Sequence, residues 1–376
     1  MKRTLGCVLL ALAMIAPLSR AEDDPAVDIK ITPITLKMES VHPKEVLEEL
    51  SKQTGVTVQV WPEQLWTQNN GRNGPPTSIT VDVDQKPFWA AMEEICTQTN
   101  LFPVNMGNND ALTLQWRGGG NASGPFGKKP TSPSENGTVV ATQIQRSHTI
   151  NFDADDPKPT RTCGINIEGY VDPRLRIARY SNHPSIEKAE DENGNSILPA
   201  QQGQQDQSMN QVYTSWQISS IFIPLDYDPE KSHKLATLKG SIKVVAAGAV
   251  EKVELDDLGN ANGTVKEVAG RKITFEDIKV ADKSFSVKMT INREEMSNEE
   301  WQSLFQNIIR SVKVETTSGR KVNLSGGGGG SDKQVTYTLS ANWSEDDDKA
   351  VKLLWDIPTK FQDMELPFEF KDLTLP

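Results

Sequence analysis

Residues 34–56 and 79–101 are the same phrase written twice, and this repeat limits the fold more than any other feature. Ile34-Thr35-Leu36-Lys37-Met38 alternates apolar and polar residues, and Ile79-Thr80-Val81-Asp82-Val83 does so again 45 residues later. At that offset Leu47 meets Met92, Glu48-Glu49 meets Glu93-Glu94, and Leu50 meets Ile95. Gln53-Thr54 meets Gln98-Thr99 and Val56 meets Leu101, with no gap. A period kept without a gap marks one supersecondary unit used twice. Alternation with period two predicts a strand at the start of each copy. Val46, Leu47 and Leu50, and in the second copy Trp89, Met92, Ile95 and Cys96, predict the apolar face of a helix. Pro43 and Pro87 stand near the helix starts, where a missing N–H costs nothing. Gly55 and Asn100 stand just past the ends, where a left-handed residue closes a helix. Strands are expected again at 56–60 and 101–104, with a closing strand at 111–116 after the Asn108-Asn109-Asp110 turn. The expected fold class is α+β, a βαβ-repeat module over 28–117 followed by β-sandwich domains.

The N-terminus reads as an export signal rather than as part of the fold. Lys2 and Arg3 precede an apolar stretch from Val8 to Pro17, too short to span a bilayer comfortably. Ser19-Arg20-Ala21 then offers a small-x-small cleavage site, so 1–21 is expected to be a cleavable signal peptide. Cys7 lies before the apolar stretch, where a lipidated cysteine cannot. Loss of Lys2, Arg3 and Arg20 takes 40 basic residues to 37 against 51 acidic ones, so the net charge goes from −11 to −14. That balance opposes nucleic-acid binding and docking on anionic lipid. A periplasmic or secreted location follows, with no transmembrane segment after processing.

The repeat resembles the short N-terminal (STN) domain shared by secretins and TonB-dependent receptors. Ile34, Leu36, Glu45, Leu47, Leu50, Thr54, Gly55 and Val56 match the first half of that family's pattern. Ile79, Val81, Met92, Ile95, Thr99 and Leu101 match the second. The resemblance implies a periplasmic module that makes protein–protein contacts. It covers 28–117 only. The roughly 255 residues after it are too few for the large barrel of a receptor and lack a lipid-facing alternation, so receptor or secretin activity is not implied.

Residues 118–137 are rich in Gly, Pro, Ser and Asn and read as a flexible linker. From 138 on, short strands alternate with turns, for example at 164–170, 236–246, 284–292, 334–343 and 364–371. One helix is expected, capped by Ser297 with Glu300 three residues on, over 298–309. A fainter repeat matches Val253-Glu254-Leu255-Asp256-Asp257-Leu258 to Phe368-Glu369-Phe370-Lys371-Asp372-Leu373 at offset 115, with Ile242 meeting Ile357. The Asn193-Gly194 and Ser318-Gly319 turns correspond at offset 125. Two tandem sandwiches are expected, 138–262 and 263–376, with one large sandwich as the competing reading. The phrases Val171-Asp172-Pro173-Arg174-Leu175-Arg176 and Lys234-Leu235-Ala236-Thr237-Leu238-Lys239-Gly240-Ser241, with the Phe368–Leu373 ending, resemble uncharacterised exported β-rich proteins of planctomycete-type bacteria. That resemblance implies a secreted β-rich domain and no known activity.

Catalytic, cofactor and metal residues are all expected to be none, and no binding residue is singled out. His42, His148, His183 and His233 pair with no His or Cys at metal-ligand spacing. Glu48-Glu49 and Glu93-Glu94 are adjacent on a helix, point about 100° apart and cannot share a proton. They read as solvated faces, with an acidic docking edge as the weaker alternative. Asp191-Glu192-Asn193-Gly194 has alanines where a calcium loop needs ligands at both ends. Asp153, Asp155 and Asp156, and the run from Glu345 to Asp348, read as acidic turns, with weak calcium binding as the minority view. Gly127-Lys128 lacks the Ser or Thr and the helix of a phosphate loop. Gly326–Gly330 reads as a loop tip. Cys96 reads as a buried hydrophobe; a bridge to Cys163 is the alternative.

There is no nucleophile elbow and no zinc-protease helix motif. The expected function is therefore a non-catalytic envelope adaptor that docks a protein partner through the repeat module. A polysaccharide-binding protein, using tryptophans such as Trp216, Trp343 and Trp355 on the sandwiches, is the first alternative. A hydrolase with dispersed carboxylates is the second.

Overall fold

The computed structural model describes residues 31–68, 74–104, 111–118, 124–150, 152, 159–199, 209–211, 216–228, 230–268, 270–293, 301, 311–331, 333–344 and 348–376. The expected signal peptide lies outside them, as do Asp153, Asp155, Asp156 and all of the helix expected over 298–309 except Trp301.

The N-terminal elements are β1 (Ile34–Val41), α1 (Pro43–Thr54), β2 (Thr57–Trp61), α2 (Leu65–Gln68), β3 (Ile79–Lys86), α3 (Phe88–Thr99), β4 (Leu101–Val104) and β5 (Ala111–Trp116). Local chemistry sets the helix ends. His42 Nδ1 accepts the Lys44 N–H at 3.1 Å and Pro43 opens α1. Gly55 (φ 69°) and Asn100 (φ 57°) close the two longer helices in the left-handed region. Their apolar faces meet the inward residues of the strands in one core, with Trp89, Met92 and Ile95 beside Leu36, Val81, Leu112 and Leu114.

The expected α+β class is overturned. Of the described residues 63% are strand and 11% helix, so the fold is β-rich. The pairing is not βαβ either, because that unit needs both strands beside a helix to lie parallel in one sheet. Here β1 pairs antiparallel with β3, its counterpart in the other copy. In a separate sheet β2 joins β5 in parallel, and β4 joins β5 antiparallel. Alternation fixes which face of each strand is buried, and two strands with the same pattern satisfy that requirement by pairing with each other.

The remaining strands are β6 (Thr131–Ser134), β7 (Gly137–Ile150), β8 (Pro159–Val171), β9 (Ile177–Ser181), β10 (Ser185–Asp191), β11 (Met209–Gln211), β12 (Gln217–Leu225), β13 (Lys234–Asp256), β14 (Thr264–Val268), β15 (Arg271–Ala281), β16 (Ser284–Asn292), β17 (Val312–Thr316), β18 (Lys321–Asn323), β19 (Ser325–Gly330), β20 (Gln334–Asn342) and β21 (Ala350–Thr374). A ribbon organises them. β13 and β21 pair antiparallel from Lys234↔Thr374 to Asp256↔Lys352. The sheet β12-β8-β7-β6 covers one end of this ribbon and the sheet β14-β15-β16-β20-β19 covers the other.

Two cores result, and each draws on both ribbon strands. Leu235, Leu238 and Ile242 of β13 share a core with Leu366, Phe368 and Phe370 of β21 and with Ile165, Ile167 and Ile223. Val253 and Leu255 of β13 share the other with Leu353, Trp355 and Ile357 of β21 and with Phe275, Val287 and Leu339. The C-terminal strand therefore completes the first core, across the 262/263 position. The faint repeat has a physical counterpart. Asp257 (φ 48°), just past the end of β13, and Asp372 (φ 54°), 115 residues on and two residues before the end of β21, both adopt the left-handed conformation. Gly194 and Gly319, 125 apart, share φ 81°, and each donates its N–H to the residue three before it, Asp191 O and Thr316 O.

Two segments differ from the sequence reading. Phe126, in the expected linker, is 9% exposed and enters the N-terminal core. Its ring lies 4.5 Å from Tyr170 and 5.6 Å from Trp89, whose Nε1–H donates to Val171 O at 3.0 Å. The module is thereby fixed to the first sandwich. Pro and Gly lower helix and strand formation, but one aromatic side chain suffices to bury such a segment. Gly326–Gly330 is β19, an edge strand paired with β20, not a loop tip.

Candidate functional site

The three-stranded sheet β2-β5-β4 has one face on the core and one face turned away from it. Val60, Leu112, Leu114 and Leu101 point inward and are buried. Successive side chains alternate, so Gln59, Trp61, Thr113, Gln115 and Phe102 point the other way. Pairing puts Trp61, Gln115 and Phe102 in one cross-strand row. Two strand spacings separate the outer members, about 10 Å between backbones. Trp61 is 48% exposed, and neither it nor Phe102 belongs to the core. The Arg117 guanidinium carbon lies 4.7 Å from the Phe102 ring centre. Gln59 donates to Thr113 Oγ1 at 2.9 Å in the next row.

This arrangement can bind but offers no proton-transfer pair. It combines one half-exposed indole, two carboxamides and a guanidinium stacked on a ring. β2 is also the last strand of its sheet. Its sequence, TVQVW, contains no charge and no proline. Such an edge can accept an added strand.

The histidines are not brought together. His42 caps α1 and meets the Trp66 ring edge-on at 5.2 Å, and the His233 N–H donates to Glu192. Glu48 faces Lys44, Glu49 faces Lys52, and Glu94 accepts from Lys86 at 2.8 Å and from the Asp82 N–H. Hydrogen bonding to Glu94, then its charge, raises the Lys86 pKa. These glutamates are engaged in local pairs on helix surfaces. Among the described residues, no group of three or more His, Cys, Asp or Glu is placed to hold a metal ion.

Asp191, 3% exposed, shows why its turn is not a cation loop. One carboxylate oxygen accepts the N–H groups of Asn193 and Asn195 at 2.9 and 2.8 Å. The other accepts the Ser232 hydroxyl at 2.7 Å and the Asn195 amide. The Ser232 hydrogen bond, with the Asn195 and Asn193 contacts, outweighs burial and holds the carboxyl far below its usual range. A carboxylate enclosed by donors anchors a hairpin. Asp348 does the same at the matching hairpin of the second sandwich, accepting from Thr317 Oγ1, Ser318 N and Ser318 Oγ at 3.0 Å each. Burial raises its pKa, and these hydrogen bonds win and lower it. The carboxylate and hydroxyl have exchanged sides between the two copies.

No protein-family model, no curated protein and no solved structure matches this chain.

Cys96 and Cys163 are both free thiols; burial pushes the Cys96 thiol up. A groove of about 430 Å³ lies between Pro130, residues 141–144 and residues 373–376, and no acidic, basic or thiol side chain lines it. Sequence reasoning missed the Trp61-Gln115-Phe102 row. The one local signal was alternation in Thr57–Trp61 that leaves Trp61 out of phase with Val58 and Val60.

Proposed function

We propose that this protein is an exported, non-catalytic adaptor of the bacterial envelope, whose N-terminal module docks a protein partner along β2. The observation that carries this reading is Trp61, 48% exposed at the end of an uncharged edge strand. An extended partner segment would bond to the β2 backbone and place an apolar side chain against the indole. Aromatic anchors of this kind dominate interface energetics. The sandwiches act as scaffold, because the module is fixed to the first one through Trp89, Phe126, Tyr170 and Trp216. Export rests on the charged start, short apolar stretch and small-residue site within 1–21. Among the described residues, no helix is long and apolar enough to cross a membrane.

The alternatives have less support. Sugar stacking on the sandwiches would use Trp216, Trp343 and Trp355, which are 3%, 7% and 2% exposed. Hydrolysis would need converging carboxylates, whereas Asp191 and Asp348 are enclosed by donors.

The test is capture from an envelope extract with the mature protein, the Trp61→Ala variant and a Val58→Pro variant, which removes the N–H that β2 donates to Ser51 Oγ at 3.1 Å. Adaptor function predicts one protein retained by the wild type and lost with both variants, while the Trp61→Ala thermal midpoint is unchanged. Retention of the same protein by Trp61→Ala would refute docking at β2. Retention of wall polysaccharide alone would refute the adaptor.

A further inference from the structure

We draw no further inference here: the strongest candidate, the apolar groove of about 430 Å³ between Pro130, residues 141–144 of β7 and residues 373–376, carries nothing because nothing in the structure shows what covers it.

Discussion

Ending the chain at residue 360 removes the half of β21 that closes the first sandwich. Leu366, Phe368, Phe370 and Leu375 are 1%, 2%, 2% and 6% exposed in the core they share with Ile165, Ile167 and Ile242. Each such burial is worth about 1.5–3 kcal/mol, so the four together contribute about 6–12 kcal/mol. That equals most of the about 5–15 kcal/mol by which a typical domain is stable. Residues 234–247 of β13 would also lose their ladder partner. The second core keeps Leu353, Trp355 and Ile357, which precede the cut. Hydrogen exchange read by mass spectrometry separates the two. Amides of β7, β8 and β12 should exchange freely in the shortened protein, while those of β15, β16 and β20 stay protected. If β8 kept its full-length protection, the shared-strand account of the first core would be wrong. The milder Phe368→Ala should cost about 3–5 kcal/mol in chemical denaturation and act on the same half.

Trp89→Ala should cost about 3–5 kcal/mol by cavity formation and also free Val171 O; proteolysis should then become faster within 118–137, and unchanged cutting would count against a packed junction. Asp191 titrates below its unfolded value, so its stabilisation is present above about pH 4 and is lost as pH falls below that. The thermal midpoint of Asp191→Asn should therefore lie below that of the wild type at neutral pH and converge with it in acid, and a constant gap down the acid limb would contradict the donor cage. In the native protein Cys96 should resist a thiol reagent, being fully buried, while half-buried Cys163 reacts slowly; labelling of Cys96 first would refute the packing of α3.

Much of the local structure was legible because it depends on local rules. Helix faces, the left-handed closures at Gly55 and Asn100 and the turns at Gly194 and Gly319 each follow from a period or a backbone requirement within a few residues. The offset of 115 residues suggests two tandem sandwiches, and in the structure it corresponds to left-handed residues near the ends of β13 and β21, at Asp257 and Asp372. The candidate site was less legible. Trp61 and Trp89 are the same residue type near repeat elements, yet one is half-exposed and the other is buried against Tyr170 and Phe126. Phe126 sat in a composition that suggested a linker, and five glycines suggested a loop where β20 supplies a ladder.

The sequence by itself determined which side of each strand turns inward, where the helices stop and where the chain reverses, because alternation and left-handed residues act at short range. Only the tertiary structure decided the neighbours. β1 joins β3 rather than β2, and the last strand completes the first sandwich. Alternation states that a face must be covered, and nothing local states by what; that choice is made by packing between residues 38 to 52 positions apart for β1 and β3, and more than a hundred apart for the last strand and the first sandwich.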